Sequence, residues 1–120
     1  MKIGHVTIAV KNLEESLRFY QDILGLPVIR RFSPAPGTEI VFLGSGETEI
    51  ELICNQAHTD IAIGQDISLG FFVKSLQETM ESMRQKGVEP GAVIQPTPQI
   101  KFFFVSDPNG VRIQLAEEIG

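Results

Sequence analysis

The chain has 120 residues, 42% of them hydrophobic and 21% charged, with a formal net charge of -5 and a single cysteine, Cys54. That length and balance describe one globular domain with room for a core, and a lone cysteine excludes an internal disulfide, which predicts a reducing, cytoplasmic setting. The acidic balance, without any lysine or arginine stripe, argues against a nucleic-acid partner, and no apolar run reaches the roughly 20 residues of a membrane span.

Residues 3–10 alternate in the manner of a strand, with Val6, Ile8 and Val10 on one face and His5, Thr7 and Ala9 on the other. The strand starts almost at Met1, so no signal peptide is expected. Asn12 is a candidate N-cap and Glu15, three residues on, completes a capping box. Leu13, Leu17, Tyr20 and Leu24 fall on one helical stripe, which Gly25 ends. A strand over 27–32 should break at Ser33-Pro34-Ala35-Pro36-Gly37. Strands over 39–43 and 48–54 follow, joined by Gly44-Ser45-Gly46, and 55–65 has no clear period.

The second half repeats this grammar. A strand over 68–73 precedes a capping box of Ser75 and Glu78, a helix with Leu76, Met80 and Met83 inward, and a stop at Gly87. A strand over 88–94 meets the breaker Gln95-Pro96-Thr97-Pro98. Strands over 101–105 and 111–117 then flank the turn sequence Asp107-Pro108-Asn109-Gly110. The halves align with a shift of 63: Val10, Lys11, Leu13 and Glu15 fall on Val73, Lys74, Leu76 and Glu78, and Ile50-Glu51-Leu52 on Ile113-Gln114-Leu115. The prediction is an α+β fold over 1–120, built from two paired βαβββ modules (about 1–55 and 66–120, with 56–65 as connector) that form a curled mixed sheet around a groove.

Alternation assigns Val6, Ile8, Val10, Ile50 and Leu52, and then Leu69, Phe71, Val73, Ile113 and Leu115, to the core beneath the helices. The opposite faces hold His5, Thr7, Ala9, Glu49, Glu51 and Ile53, and in the second copy Ser68, Gly70, Phe72, Arg112, Gln114 and Ala116. His5, Glu51, Ser68 and Gln114 are the internally equivalent positions that duplication should bring to one groove.

His5-x-x-Ile-x-Val-x-x-Leu with Phe19-Tyr20 and Leu24-Gly25-Leu26, then Glu49-Ile50-Glu51-Leu52, then Phe104-Val105-Ser106-Asp107-Pro108-Asn109-Gly110-x-x-Ile113-Gln114-Leu115, together resemble the vicinal oxygen chelate superfamily. That group includes glyoxalase I, methylmalonyl-CoA epimerase, extradiol dioxygenases, and fosfomycin and bleomycin resistance proteins. The resemblance implies a divalent metal (Zn, Ni, Mn or Fe) in the groove, ligands on the first and last strand of each module, and a homodimer. Position by position, it makes His5 and Glu51 metal ligands. Ser68 stands where the enzymes usually have histidine, and Gln114 where they usually have glutamate. Asn55 matches a glutathione-holding position of bacterial glyoxalases, whereas Ala9 replaces their arginine.

Imidazole and carboxylate suit such a metal, and the amide oxygen of Gln114 is a weaker third ligand. Glu51, as the one carboxylate at the four positions, is the candidate catalytic base. Ser68, Phe72, Asn55, Phe102 and Phe104 are candidates for contacting a small-molecule ligand, although core packing is the default for the aromatic run at 102–104. Cys54 alternates to the core side and reads as an inert thiol, and His58 reads as a surface residue in the connector, with recruitment as a substitute metal ligand the lesser reading. Two functions remain open. One is a metal-dependent lyase or isomerase of glyoxalase type acting on a small α-oxo or thioester substrate. The other is a metal-free binding protein of bleomycin-resistance type. A dioxygenase comes third.

Overall fold

A computed structural model of the chain describes residues 1–120. The chain divides into two compact units, Met1–Ala62 and Ile63–Gly120, with the division inside the 56–65 segment. In the first unit β1 (His5–Ala9) leads into α1 (Leu13–Leu17), a π-helical segment (Arg18–Ile23), β2 (Val28–Ala35), β3 (Thr38–Leu43) and β4 (Glu49–Asn55). The strands form a mixed sheet of order β1-β4-β3-β2, in which β1 runs parallel to β4 and the other pairs are antiparallel.

Asn12 is extended (φ -136°) and its side-chain oxygen accepts the Glu15 amide at 3.0 Å, as the capping box requires. Past Leu17 the helix widens: the Leu24 amide donates to the Phe19 carbonyl at 2.9 Å, five residues back rather than four. Each residue of the wider turn rotates the chain by less than the α-helix's roughly 100°, so the inward face changes phase. Phe19, Tyr20 and Ile23 are buried, and Leu24, expected in the stripe, is only half-buried.

The proline-rich stretch also behaves differently from the sequence expectation. β2 does not break at Ser33; it continues through Pro34 and reverses at Pro36-Gly37 into β3. Two features permit this. β2 is the sheet edge, where a missing N–H can face away from the ladder, and the register slips between Phe32 and Ala35. Pro36 followed by Gly37 at φ +80° is the order a type II turn asks for.

The second unit has β5 (Ser68–Phe72), α2 (Leu76–Gln85), β6 (Ile94–Thr97), β7 (Ile100–Ser106) and β8 (Arg112–Glu118), with sheet order β5-β8-β7-β6 and β5 parallel to β8. Ser75 caps α2 by accepting the Glu78 amide at 3.2 Å, and a Glu117 carboxylate oxygen accepts the Leu76 amide at 2.6 Å. Here too the strand lies later than expected. Residues 88–93 are not a strand, and β6 runs through Pro96 at the edge. Before β6 the chain touches β7 through one bond, Gly91 N–H to the Phe104 carbonyl at 3.0 Å. A Cβ on residue 91 would lie 2.8 Å from that oxygen, so the approach requires glycine. The β7–β8 turn is held by Asp107, whose buried carboxylate accepts the Asn109 and Val111 amides, both at 2.8 Å.

Each unit has its own core. Val10, Tyr20, Val41, Leu43 and Leu52 are fully buried in the first, and Leu76, Met83, Phe103, Ile113 and Leu115 in the second. Each such side chain contributes about 1.5–3 kcal/mol before the entropy of ordering it is charged. Val6, Leu69, Phe71 and Val73, expected in the core, are half-buried. No helix is long and apolar enough to cross a membrane.

Candidate functional site

The strand register decides which side chains share a surface. In the first unit His5 pairs with Glu49, Thr7 with Glu51, and Ala9 with Ile53, while Phe42 of β3 lies opposite Glu51. Directly paired residues point the same way from a sheet, so these side chains form one face, and Ile8, Leu52 and Val41 form the other. On the first face His5 Nε2 lies 3.7 Å from Glu51 Oε1. The imidazole is 53% exposed and the carboxylate 14%, so solvent reaches the pair mainly from the histidine side. The Thr7 hydroxyl donates to the same Glu51 oxygen.

Around that pair lies an aromatic patch that single-strand alternation missed. The His5 ring meets Phe42 edge-on, with centroids 5.7 Å apart, and Phe32 of β2 lies nearly parallel to Phe42 at 6.4 Å. The Arg30 guanidinium sits 3.9 Å over the Phe42 ring and donates to Glu49 Oε1 at 3.1 Å. The available signal was the β2–β3 pairing, Arg30 with Phe42 and Phe32 with Ile40; the expected strand over 27–32 contains both residues but does not fix which β3 residues they face. Arg31 points the other way and clamps β2 to β3 and α1 through Glu39 and Glu14. The hydrogen bond from Arg31 holds the Glu39 carboxyl below its ordinary range.

In the second unit β5 and β8 place Ser68 beside Arg112, Gly70 beside Gln114, and Phe72 beside Ala116. On the other side of β8, Phe104 is opposite Gln114 and Phe102 opposite Ala116. Phe102 and Phe104 meet edge-to-face at 5.6 Å, so these two of the three consecutive phenylalanines share the polar face while Phe103 is fully buried. Phe72 is 71% exposed. Gly70 leaves room for Gln114, whose Oε1 lies 3.1 Å from where a Cβ on residue 70 would sit.

His5 with Glu51 are thus brought together in one unit, and Ser68, Gln114, Phe72, Phe102 and Phe104 share a face of the other. Asn55, at the end of β4, uses its side-chain oxygen to accept the Ala57 amide at 2.9 Å, and its carbonyl accepts the His58 amide. It therefore shapes a turn. His58 is exposed. Cys54 lies on the helix side as expected but is half-buried, with Sγ 3.8 Å from the Lys11 carbonyl.

The donors can be tested against a divalent metal. Nitrogen and oxygen ligands at about 2.0–2.2 Å from one ion lie at most about 4 Å apart, a condition His5 and Glu51 meet at 3.7 Å. They fit as two ligands of one ion. No three of the chain's His, Cys, Asp and Glu side chains gather closely enough to hold a metal by themselves.

Comparison with known proteins places these features in a family. Residues 2–115 match the Glyoxalase/Bleomycin resistance protein/Dioxygenase superfamily. A probable lactoylglutathione lyase of Synechocystis is 31% identical, the alignment covering 98% of this chain and 95% of that protein. A lactoylglutathione lyase of Escherichia coli O157:H7 is 33% identical over 98% and 93%. The structure of the trypanothione-dependent glyoxalase I of Leishmania major superposes with a TM-score of 0.83 at 28% identity, covering 98% of this chain and 87% of that one. Twin four-stranded mixed sheets, one helix per unit and these alignments together show that the chain belongs to the glyoxalase/bleomycin resistance protein/dioxygenase superfamily and has its fold.

Proposed function

We propose that this protein is a glyoxalase-type lyase or isomerase acting on a small α-oxo or thioester substrate, with Glu51 moving the proton. The observation that supports this most directly is the His5–Glu51 pair at 3.7 Å, with Phe42 edge-on to the imidazole. Glu51 is sheltered, and the Thr7 hydroxyl aims one of its oxygens at the imidazole; the second oxygen is then the one to take a proton from carbon. A base must reach that proton directly or through one water, and a sheltered carboxylate beside aromatic walls is suited to it. His5 and Glu51 are the residues to hold a divalent metal, which when bound supplies Lewis-acid stabilisation of a developing enediolate oxygen. His5, more open to solvent, orients the substrate oxygens, and the Phe42 edge keeps its ring fixed. The relatives named lactoylglutathione lyase favour this class.

A specific observation favours a second reading, a binding protein of bleomycin-resistance type without turnover. Only two strong donors gather, and the aromatic faces suit a ligand held by stacking. One experiment separates the two. Protein purified without chelator is assayed for bound transition metal and for turnover of methylglyoxal with a thiol. Stoichiometric metal and activity, both lost in His5→Ala and Glu51→Gln, support the enzyme. Metal-free, inactive protein that still binds small aromatic ligands supports the binder. A homodimer is the proposed assembly, to be read by sedimentation.

A further inference from the structure

We propose that Arg30 is a positioning residue that holds Glu49 back from the His5–Glu51 pair, and that Glu49, once released, becomes a third donor to a divalent cation held there. This rests on the reading of His5 and Glu51 as metal donors. The backbone makes Glu49, not Glu51, the expected partner of the imidazole. β1 and β4 run parallel with His5 opposite Glu49 and Thr7 opposite Glu51, so these side chains leave one face and Glu49 is the nearer carboxylate in register. Glu51 stands two residues, about 6.6 Å, further along β4. It is nevertheless the carboxylate that meets the imidazole, at 3.7 Å. Glu49 is turned across β3 toward β2, where its Oε1 accepts a hydrogen bond from Arg30 Nη2 at 3.1 Å.

Arg30 can act as this latch because it is itself fixed. Its guanidinium lies 3.9 Å over the ring of Phe42, the β3 residue opposite Glu51. Stacking fixes the guanidinium plane and leaves its edge donors free to hold a carboxylate. The edge contact between Phe42 and His5 sets the same ring between the cation and the imidazole. Arg31, next along β2, is engaged by Glu39 and Glu14 and cannot take over the role. Glu49 is also not one of the four positions that duplication makes equivalent, so it is a donor additional to His5, Glu51, Ser68 and Gln114. The consequence is chemical. Two protein donors leave an ion with positions open to two adjacent substrate oxygens, whereas a third, anionic donor fills one position and weakens the pull on those oxygens. Arg30 thereby keeps the site open at a cost in metal affinity.

The test is a calorimetric titration of the full-length, metal-stripped protein with Zn²⁺. Arg30→Gln should bind about tenfold more tightly than the wild type, or better, since the partners that orient donors commonly shift metal affinity by about 10–100-fold. A merely structural role for Arg30 would lower the affinity, not raise it. Arg30→Lys, which keeps the ion pair, should stay near the wild type. Adding Glu49→Gln to Arg30→Gln should abolish the gain. Adding Glu49→Asp, which keeps the charge but shortens the reach, should remove most of it. Circular dichroism reports whether each variant is folded. A folded Arg30→Gln protein that binds no tighter than the wild type overturns the latch, and so does a full gain retained with Glu49→Asp, which would mean attraction by charge without ligation. His5→Ala separates the latch from the reading beneath it. Wild-type binding lost in His5→Ala, with Arg30→Gln no tighter, overturns the latch alone. Binding indifferent to His5→Ala, with or without Arg30→Gln, overturns the metal pair and the latch with it.

Discussion

Thr7→Val removes one hydroxyl and almost nothing else. Valine keeps the β-branched shape a strand favours, so β1 and its parallel register with β4 should persist. What is lost is the donation to Glu51 Oε1, the oxygen that faces His5. Hydrogen bonds to charged groups are worth about 1.5–3 kcal/mol, but a carboxylate 14% exposed recovers part of this from water. A cost of about 1–1.5 kcal/mol is therefore expected, which for a chain of this length is about 3–6 °C in Tm. The same loosened carboxylate should lower kcat/KM about tenfold if the proton-transfer reading holds, since every 1.4 kcal/mol is a factor of ten. Thr7→Ser keeps the hydroxyl and should recover most of both losses. Urea denaturation, thermal melts and methylglyoxal–thiol turnover on the three proteins decide it. If Thr7→Val lies within 0.5 kcal/mol (roughly the scatter of neutral surface changes) of the wild type, or if Thr7→Ser is as impaired as Thr7→Val, the hydroxyl does not position Glu51.

Other consequences follow from the fold. Glu39 is held below its ordinary range by Arg31, so its pairing should stabilise above the unfolded carboxylate range and vanish as pH falls through the depressed folded value; the Tm gap between wild type and Glu39→Gln should close on acidification, and a gap constant with pH would refute the linkage. Gly37→Ala places a side chain at φ +80°, which should cost about 1–2 kcal/mol in urea denaturation even though the new methyl meets only ordinary contacts, 3.7 and 3.9 Å from Gln56. Gly70→Ala should be nearly neutral in stability, because strand propensity improves by about 0.5–1 kcal/mol while Gln114 must move from a contact of 3.1 Å. Its visible effect should be a displaced Gln114 side-chain amide resonance, and an unmoved one would show that the glutamine does not use the gap.

The parts of this chain governed by local chemistry were legible from residues alone. Asn12 with Glu15 and Ser75 with Glu78 cap their helices as the spacing requires, and strand alternation assigns His5, Thr7 and Glu51 to the one face that the β1–β4 register gives them. Failures occurred where a neighbour overrides the local signal. Proline reads as a breaker, yet Pro34 and Pro96 lie inside strands because both strands are sheet edges, a property no single segment announces. The π-helical widening after Leu17 exchanged Leu24 for Ile23, and nothing in a stripe of apolar residues distinguishes a turn of five from one of four. The aromatic patch of Phe32, Phe42 and Arg30 was out of view for the same reason, because cross-strand pairs exist only once the register is known.

Duplication has left two faces of different character on one backbone plan. Register puts Thr7 with Glu51 in one unit and Gly70 with Gln114 in the other, and an aromatic ring sits opposite in both, Phe42 and Phe104. An arginine stacks on each ring, but from different strands: Arg30 reaches from β2, and Arg112 stands on β8 itself. That difference decides the electrostatics. In the first unit the arginine is paired with Glu49, leaving imidazole and carboxylate side by side; in the second the strand position equivalent to Glu49 holds the arginine itself, which stacks on Phe104 and has no carboxylate within ion-pair distance. An Arg112→Glu variant would put a carboxylate where the first unit has Glu49. It should leave the β5–β8 register intact, as read from the backbone amide shifts of the two strands, since that register rests on backbone bonds and the buried Ile113 and Leu115.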